Sequence, residues 1–309
     1  MSRTFNTFDD RNRRRWVNQS VVMLMSKLAE QGEIPQETIR RLARNVVSDA
    51  RSSGWNEMPF DVELLAELQC IEVKCAEGDI RAEARLMPLP GNRLIIEYAA
   101  DAPVRRRRFS ICHEIAHTLF PDCYERVQHR RNNESFDRVH SELELLCHVG
   151  AGEFLMPLEE FLEATNGRLP SLEVAHELGN SFDASQEAAL RRMVDLSGDP
   201  FCLLWISERL KPTEERNAGP ELNLGFAGPS MKLRVDYQFG SPSWKTFVPK
   251  HKSIPDGSVL YQTLSDRLPR ALSEDWSELD LGRLRVEAMT SMHSEPSARG
   301  IMVLLSSHE

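Results

Sequence analysis

Paired cysteines are missing from this chain. Cys70, Cys75, Cys112, Cys123, Cys147 and Cys202 include no C-x-x-C pair. Six thiols so dispersed in 309 residues support neither a disulfide framework nor a cysteine zinc site, and buried free thiols are the expectation. Long apolar runs are missing too. The longest near the N-terminus, Val21 to Met25, is far too short to span a bilayer. The opening MSRTFNTFDDRNRRRW has no signal-peptide core, so a soluble cytoplasmic protein is expected. Positive charge is not in excess: 38 Lys and Arg face 47 Asp and Glu, a net charge of −9. That balance argues against a surface that coats nucleic acid generally. No internal repeat or low-complexity segment occurs.

What the chain does contain is the stretch Cys112-His113-Glu114-Ile115-Ala116-His117-Thr118-Leu119-Phe120. Phe109, Ile111, Ile115, Ala116, Leu119 and Phe120 recur near helical spacing and predict a mostly buried helix. Four residues apart, His113 and His117 share one helix face and can turn two imidazoles to one ion. Glu114, one residue along, is placed to act as general base toward a water there. The bland alternative is a helix that happens to hold these residues, but two His and a Glu on a buried helix need partners to be tolerated.

Ahead of this helix the pattern predicts helices over residues 14–31, from Pro35 to Gly54, and from Asp61 to Leu68. The period then changes. Ile71 to Val73, Ala82 to Leu86 and Leu94 to Tyr98 read as strands of a small antiparallel sheet, with a turn at Pro90–Arg93. Arg105 to Arg108 form a basic quartet: either a patch for substrate or nucleic acid, or solvated arginines pairing with acids such as Glu142 or Asp137. Residues 121–134 read as a loop. A helix from about Ser135 to Met156 follows, on which Glu144, Cys147, His148, Ala151 and Leu155 share a face. A carboxylate among small and apolar residues needs a reason, and completing a two-His site as third ligand of a catalytic zinc is one. Glu142, Glu153 and His148 are rivals; the two glutamates read as solvent-facing, and His148 as packing or supporting a ligand.

Two motifs in order, R-R-F-S-I-C-H-E-I-A-H-T-L-F and E-L-L-C-H-V-G-A-G-E-F-L-M-P, with 26 residues between His117 and Glu144, make residues 60–197 resemble the ImmA/IrrE family of metallopeptidases. The resemblance implies a zincin-like fold with His113, His117 and Glu144 as metal ligands and Glu114 as catalytic base. The chain departs from the family pattern at Ala116, where glycine is usual, at His148, where Asn or Asp is usual, and at Gly150 and Gly152, which weaken the helix and let two helices approach. The resemblance further implies that the substrate is a helix-turn-helix transcriptional repressor whose cleavage derepresses stress-response, mobile-element or phage-defence genes. The implied trigger is DNA damage products, single-stranded DNA or a small molecule.

Residues 171–196 read as a helix-turn-helix-like unit, with Asp183 or Ser185 as cap. It would either offer Gln186, Arg191 and Arg192 to DNA or serve as packing. Gly198-Asp199-Pro200 marks a boundary. Strands are expected at Phe201 to Ile206, Leu233 to Phe239, Leu284 to Met289 and Gly300 to Ser306, and loops over 211–220 and 240–257. The fold class is therefore α+β: a mainly helical metallopeptidase domain over 1–197 and a smaller α/β domain over 200–309. By family analogy the second is GAF-like and sensory.

Zinc is the expected cofactor, although manganese or iron also suits two imidazoles and a carboxylate. Tyr124, His129 and His140 are the candidates for stabilising an oxyanion. A second reading, from another class, is a DNA- or repressor-binding regulator with a structural metal, closed by His148 or Cys147. A third is a metallohydrolase acting on a small molecule.

Overall fold

The computed structural model describes residues 8–9, 14–78, 80, 82–129, 138–217, 231–290 and 300–307. Two short antiparallel strands, β1 (Phe8–Asp9) and β2 (Arg14–Arg15), precede the first helix. That helix, α1 (Gln19–Leu28), starts later than the expected residue 14 because Asn18 caps it, accepting from the amides of Ser20 and Val21. Such a cap contributes about 1 kcal/mol. Helix α2 (Pro35–Ser52) begins with proline in its first turn, where no amide is missed. Asp61 caps α3 (Val62–Leu68) in the same way as Asn18 caps α1.

Strands β3 (Ile71–Cys75), β4 (Ala84–Leu89) and β5 (Arg93–Tyr98) form a sheet in the order β3-β5-β4. The expected antiparallel sheet is in fact mixed. β4 and β5 make an antiparallel hairpin, but β3 docks on the far edge of β5 and runs parallel to it. Strand β4 is thereby left at an edge.

Next come α4 (Val104–His117), α5 (Cys123–His129), α6 (Arg138–Leu155) and α7 (Leu158–Thr165). Helix α5 lies where a loop was expected. Buried Cys123 and Val127, four residues apart, give it an apolar face that its polar neighbours obscure in the sequence. Helix α6 packs against both α4 and α2. Gly150 is what allows the α4 contact, since a Cβ there would lie 2.8 Å from that of Ala116. Gly152 has open space and no such role.

Helices α8 (Leu172–Ser181) and α9 (Gln186–Leu196) are followed by β6 (Phe201–Arg209), α10 (Pro212–Asn217), β7 (Lys232–Gly240), α11 (Val259–Asp266), β8 (Arg270–Asp275), β9 (Arg283–Thr290) and β10 (Gly300–Ser306). The five strands make one antiparallel sheet, β7-β6-β10-β9-β8. Its core gathers Leu204, Ile206, Val235, Trp276, Val286 and Val303. Part of the stretch expected as a loop over 211–220 is helical, as α10. Strand β8 was not foreseen because its face is only half-buried.

The chain divides into two compact units, residues 1–167 with 178–185, and residues 168–177 with 186–309. The division between these units falls within α8, and α9 packs on β6 and β7. The architecture is α+β. Among the described residues no helix is long and apolar enough to cross a membrane.

Candidate metal centre

Helix α4 carries His113 and His117, and α6 carries Glu144. Their side chains converge: Nε2 of His113 lies 2.9 Å from Glu144 Oε2, and Nε2 of His117 lies 3.8 Å from Glu144 Oε1. Two donors each about 2.1 Å from a tetrahedral ion sit about 3.4 Å apart, and the two observed separations bracket that value. Both imidazoles thus turn the same nitrogen to one carboxylate, and the donor set fits a divalent cation. His113 keeps its angle through packing, its ring 5.0 Å from that of His117 and 4.7 Å from that of His148. Its Nδ1 is buried without a hydrogen-bond partner among the described residues.

Behind His117, Nδ1 meets Cys147 Sγ at 3.1 Å and Arg126 Nη2 at 3.4 Å. With a cation on Nε2, Nδ1 carries the proton, and the thiol sulfur can accept it while a guanidinium cannot. His113, His117 and Cys147 also form a trio close enough to hold a metal by themselves. The two nitrogens of one imidazole point apart, however, so a single ion on His117 takes either the Glu144 side or the Cys147 side.

Glu114 is 7 % exposed and its Oε2 accepts the Leu86 amide at 2.9 Å. Leu86 belongs to edge strand β4, and its N–H, turned away from β5, fixes the carboxylate of the residue that follows His113 on α4. Tyr124 donates a long 3.4 Å hydrogen bond to the Leu89 carbonyl. The side chains of His129 and His140 lie outside the described residues. His148 is exposed on α6, its Nδ1 2.6 Å from the Glu144 carbonyl oxygen and its ring beside Phe109.

Two of the rival ligands sit elsewhere and are not solvent-facing as expected. Glu142, 2 % exposed, accepts the amides of Val17 and Asn18 at the start of α1. Glu153 is fully buried and pairs with Arg44 at 3.2 Å. The arginine quartet has structural partners, though not the acids expected from the sequence. Arg105 and Arg108 hold Asp183, Arg106 pairs with Glu83, and Arg107 covers the Tyr98 ring. On α9, Arg192 is 5 % exposed, Arg191 lies over Tyr237 and Phe239, and Gln186 donates to the Leu172 carbonyl. These contacts favour a packing unit over a reader of DNA.

Sequence reasoning missed the Leu86 amide and Arg126. The first is a backbone group with no sequence signal; the second lies nine residues beyond His117, on the helix read as a loop.

Residues 77–194 match the model of a family described as the IrrE N-terminal-like domain. The radiation response metalloprotease IrrE of Deinococcus deserti is 26 % identical over 170 residues, a match covering 54 % of this chain and 56 % of that protein. This chain therefore spans little more than half the length of that relative. A transcriptional regulator from Mycobacterium tuberculosis shares the fold at a TM-score of 0.56 and 14 % identity, over 89 % of this chain and 81 % of that one. Residues 77–194, which carry both histidines, Glu114 and Glu144, thus form an IrrE N-terminal-like domain, in line with the family resemblance of the two motifs.

Proposed function

We propose that this chain is a metal-dependent endopeptidase in which His113, His117 and Glu144 hold zinc and Glu114 is the general base. The carrying observation is that both Nε2 atoms face the Glu144 carboxylate, while Glu114, the residue after His113 on α4, has one carboxylate oxygen held by the Leu86 amide of β4. A cation bound there supplies Lewis-acid polarisation of a peptide carbonyl and lowers the pKa of water.

The chain's own part is positional and protonic. The Leu86 N–H orients Glu114 before substrate arrives, so the carboxylate can take a proton and deliver it to the leaving amine. A peptide paired to the outer edge of β4 would run past Glu114 in extended form. Tyr124 is the proposed oxyanion donor, since its long bond to Leu89 is readily exchanged, with exposed His148 as the alternative. The substrate we propose is a helix-turn-helix repressor, cut to release stress- or phage-defence genes in the cytoplasm, with residues 200–309 sensing a DNA or small-molecule trigger.

The test is cleavage of the helix-turn-helix protein encoded beside this chain's gene, with and without chelator. Glu114→Gln is expected to retain about one zinc per chain and to lose cleavage by 10²-fold or more, on the order of a general-base contribution. Undiminished cutting by that variant, or after metal removal, would overturn the mechanism. The His113–His117–Cys147 trio carries the second reading, a regulator with a structural metal. Loss of zinc in Cys147→Ala, with zinc kept in Glu144→Ala, would select it.

A further inference from the structure

Four of the chain's seven lysines line one cavity. Lys211, Lys232, Lys250 and Lys252, with His251, surround a space of about 510 Å³ beside β7. This concentration stands out in a chain whose net charge is −9.

The segment that brings three of these residues is firmly held. His251 donates its amide to the Val235 carbonyl at 2.7 Å, Val235 donates to the Lys252 carbonyl at 3.0 Å, and Ile254 donates to the Leu233 carbonyl at 2.9 Å. Beneath it, the buried guanidinium of Arg234 donates to Ser253 Oγ and to the carbonyls of His251 and Arg209, and pairs with Glu214. An arginine is thus spent on fixing the backbone from which the lysines project.

The lysines themselves are mostly not neutralised. Lys232 pairs with Asp256 at 3.2 Å, whereas Lys211, Lys250 and Lys252 make no ion pair among the described residues. His251 Nδ1 is buried and has no hydrogen-bond partner among them. Desolvation, with Arg209 and Lys250 adding positive field, holds the His251 pKa below its ordinary value. An excess of cations over acids along a concave wall focuses a positive potential.

We infer that this cavity binds a small phosphorylated ligand, with Lys211, Lys250 and Lys252 on its phosphate oxygens. Ammonium groups on long stems suit tetrahedral oxyanions, and three of them match a ligand with two or more negative charges. The volume lies in the usual small-molecule range of about 300–1,000 Å³. Asp256 and Glu278 in the same wall oppose a long polyanion. The inference is independent of the metal centre, because its test reads binding and not cleavage.

The test is calorimetric titration of the full chain with inorganic pyrophosphate at low and high salt. Saturable binding, weakened by salt and reduced about tenfold in Lys250→Ala and in Lys252→Ala, is expected from loss of one charge-assisted hydrogen bond each. Lys211→Ala, on a different segment, gives the same reading should either variant melt early. Lys245→Ala, outside the cavity, should bind like the parent. Absence of saturable binding overturns the inference, as does an equal loss in Lys245→Ala. A short single-stranded oligonucleotide that binds through the same lysines more tightly than pyrophosphate also overturns it, in favour of a strand-binding site.

Discussion

Glu33 accepts two hydrogen bonds from Arg41, at 2.7 and 2.9 Å, and one from Thr38 Oγ1. The Arg41 guanidinium holds its carboxyl down at about 2, from an ordinary 4.5, against the opposing pull of burial. Because folding lowers this pKa, the stabilisation is complete above pH 4.5 and is lost as pH falls through about 2. Glu33→Gln is expected to cost roughly 1 kcal/mol at neutral pH. Thermal melts across the acid range should show the gap between variant and parent closing toward pH 2.

The same scale explains what could be read of the site in advance. His113, Glu114 and His117 are legible because one helical turn sets their relation. Glu144 is legible only as a carboxylate out of place on its stripe. Glu142 and Glu153 mislead because their partners, the α1 amides and Arg44, lie more than a hundred residues away in sequence, with |i−j| of 124 and 109.

Helices α4 and α6 meet at Gly150, where the two backbones approach closely. Gly150→Ala must push Ala116 aside and is expected to destabilise by about 1–3 kcal/mol, as overpacking does. Since one helix bears the imidazoles and the other the carboxylate, zinc affinity should fall with it. Gly152→Ala, in open space, should be neutral or gain up to about 1 kcal/mol from helix propensity. Urea unfolding and zinc titration of the two variants separate these outcomes. Elements with strong local signals match their expected spans: α2 with its leading proline, β10 with its seven-residue buried run. Those missed, α5, α7, α10, β8 and α11 among them, are short and emerge only against a partner. The parallel docking of β3 on β5 likewise has no local signature, since hairpin turns encode only antiparallel neighbours.

At the scale of the whole molecule, the family match and the compact units do not coincide. The matched stretch, 77–194, ends inside α9, and that helix packs on β6 and β7 of the second sheet. Ala189, Leu190, Met193 and Val194 are buried in the intact chain. A fragment ending at residue 197 is expected to expose part of this face, to bind a hydrophobic dye and to aggregate at concentrations where the full chain does not; light scattering decides. A recombination breakpoint at the end of the copied segment would hand the fragment a helix without its floor. Grafting the matched region onto another domain would therefore have to carry β6 and β7 along as luggage.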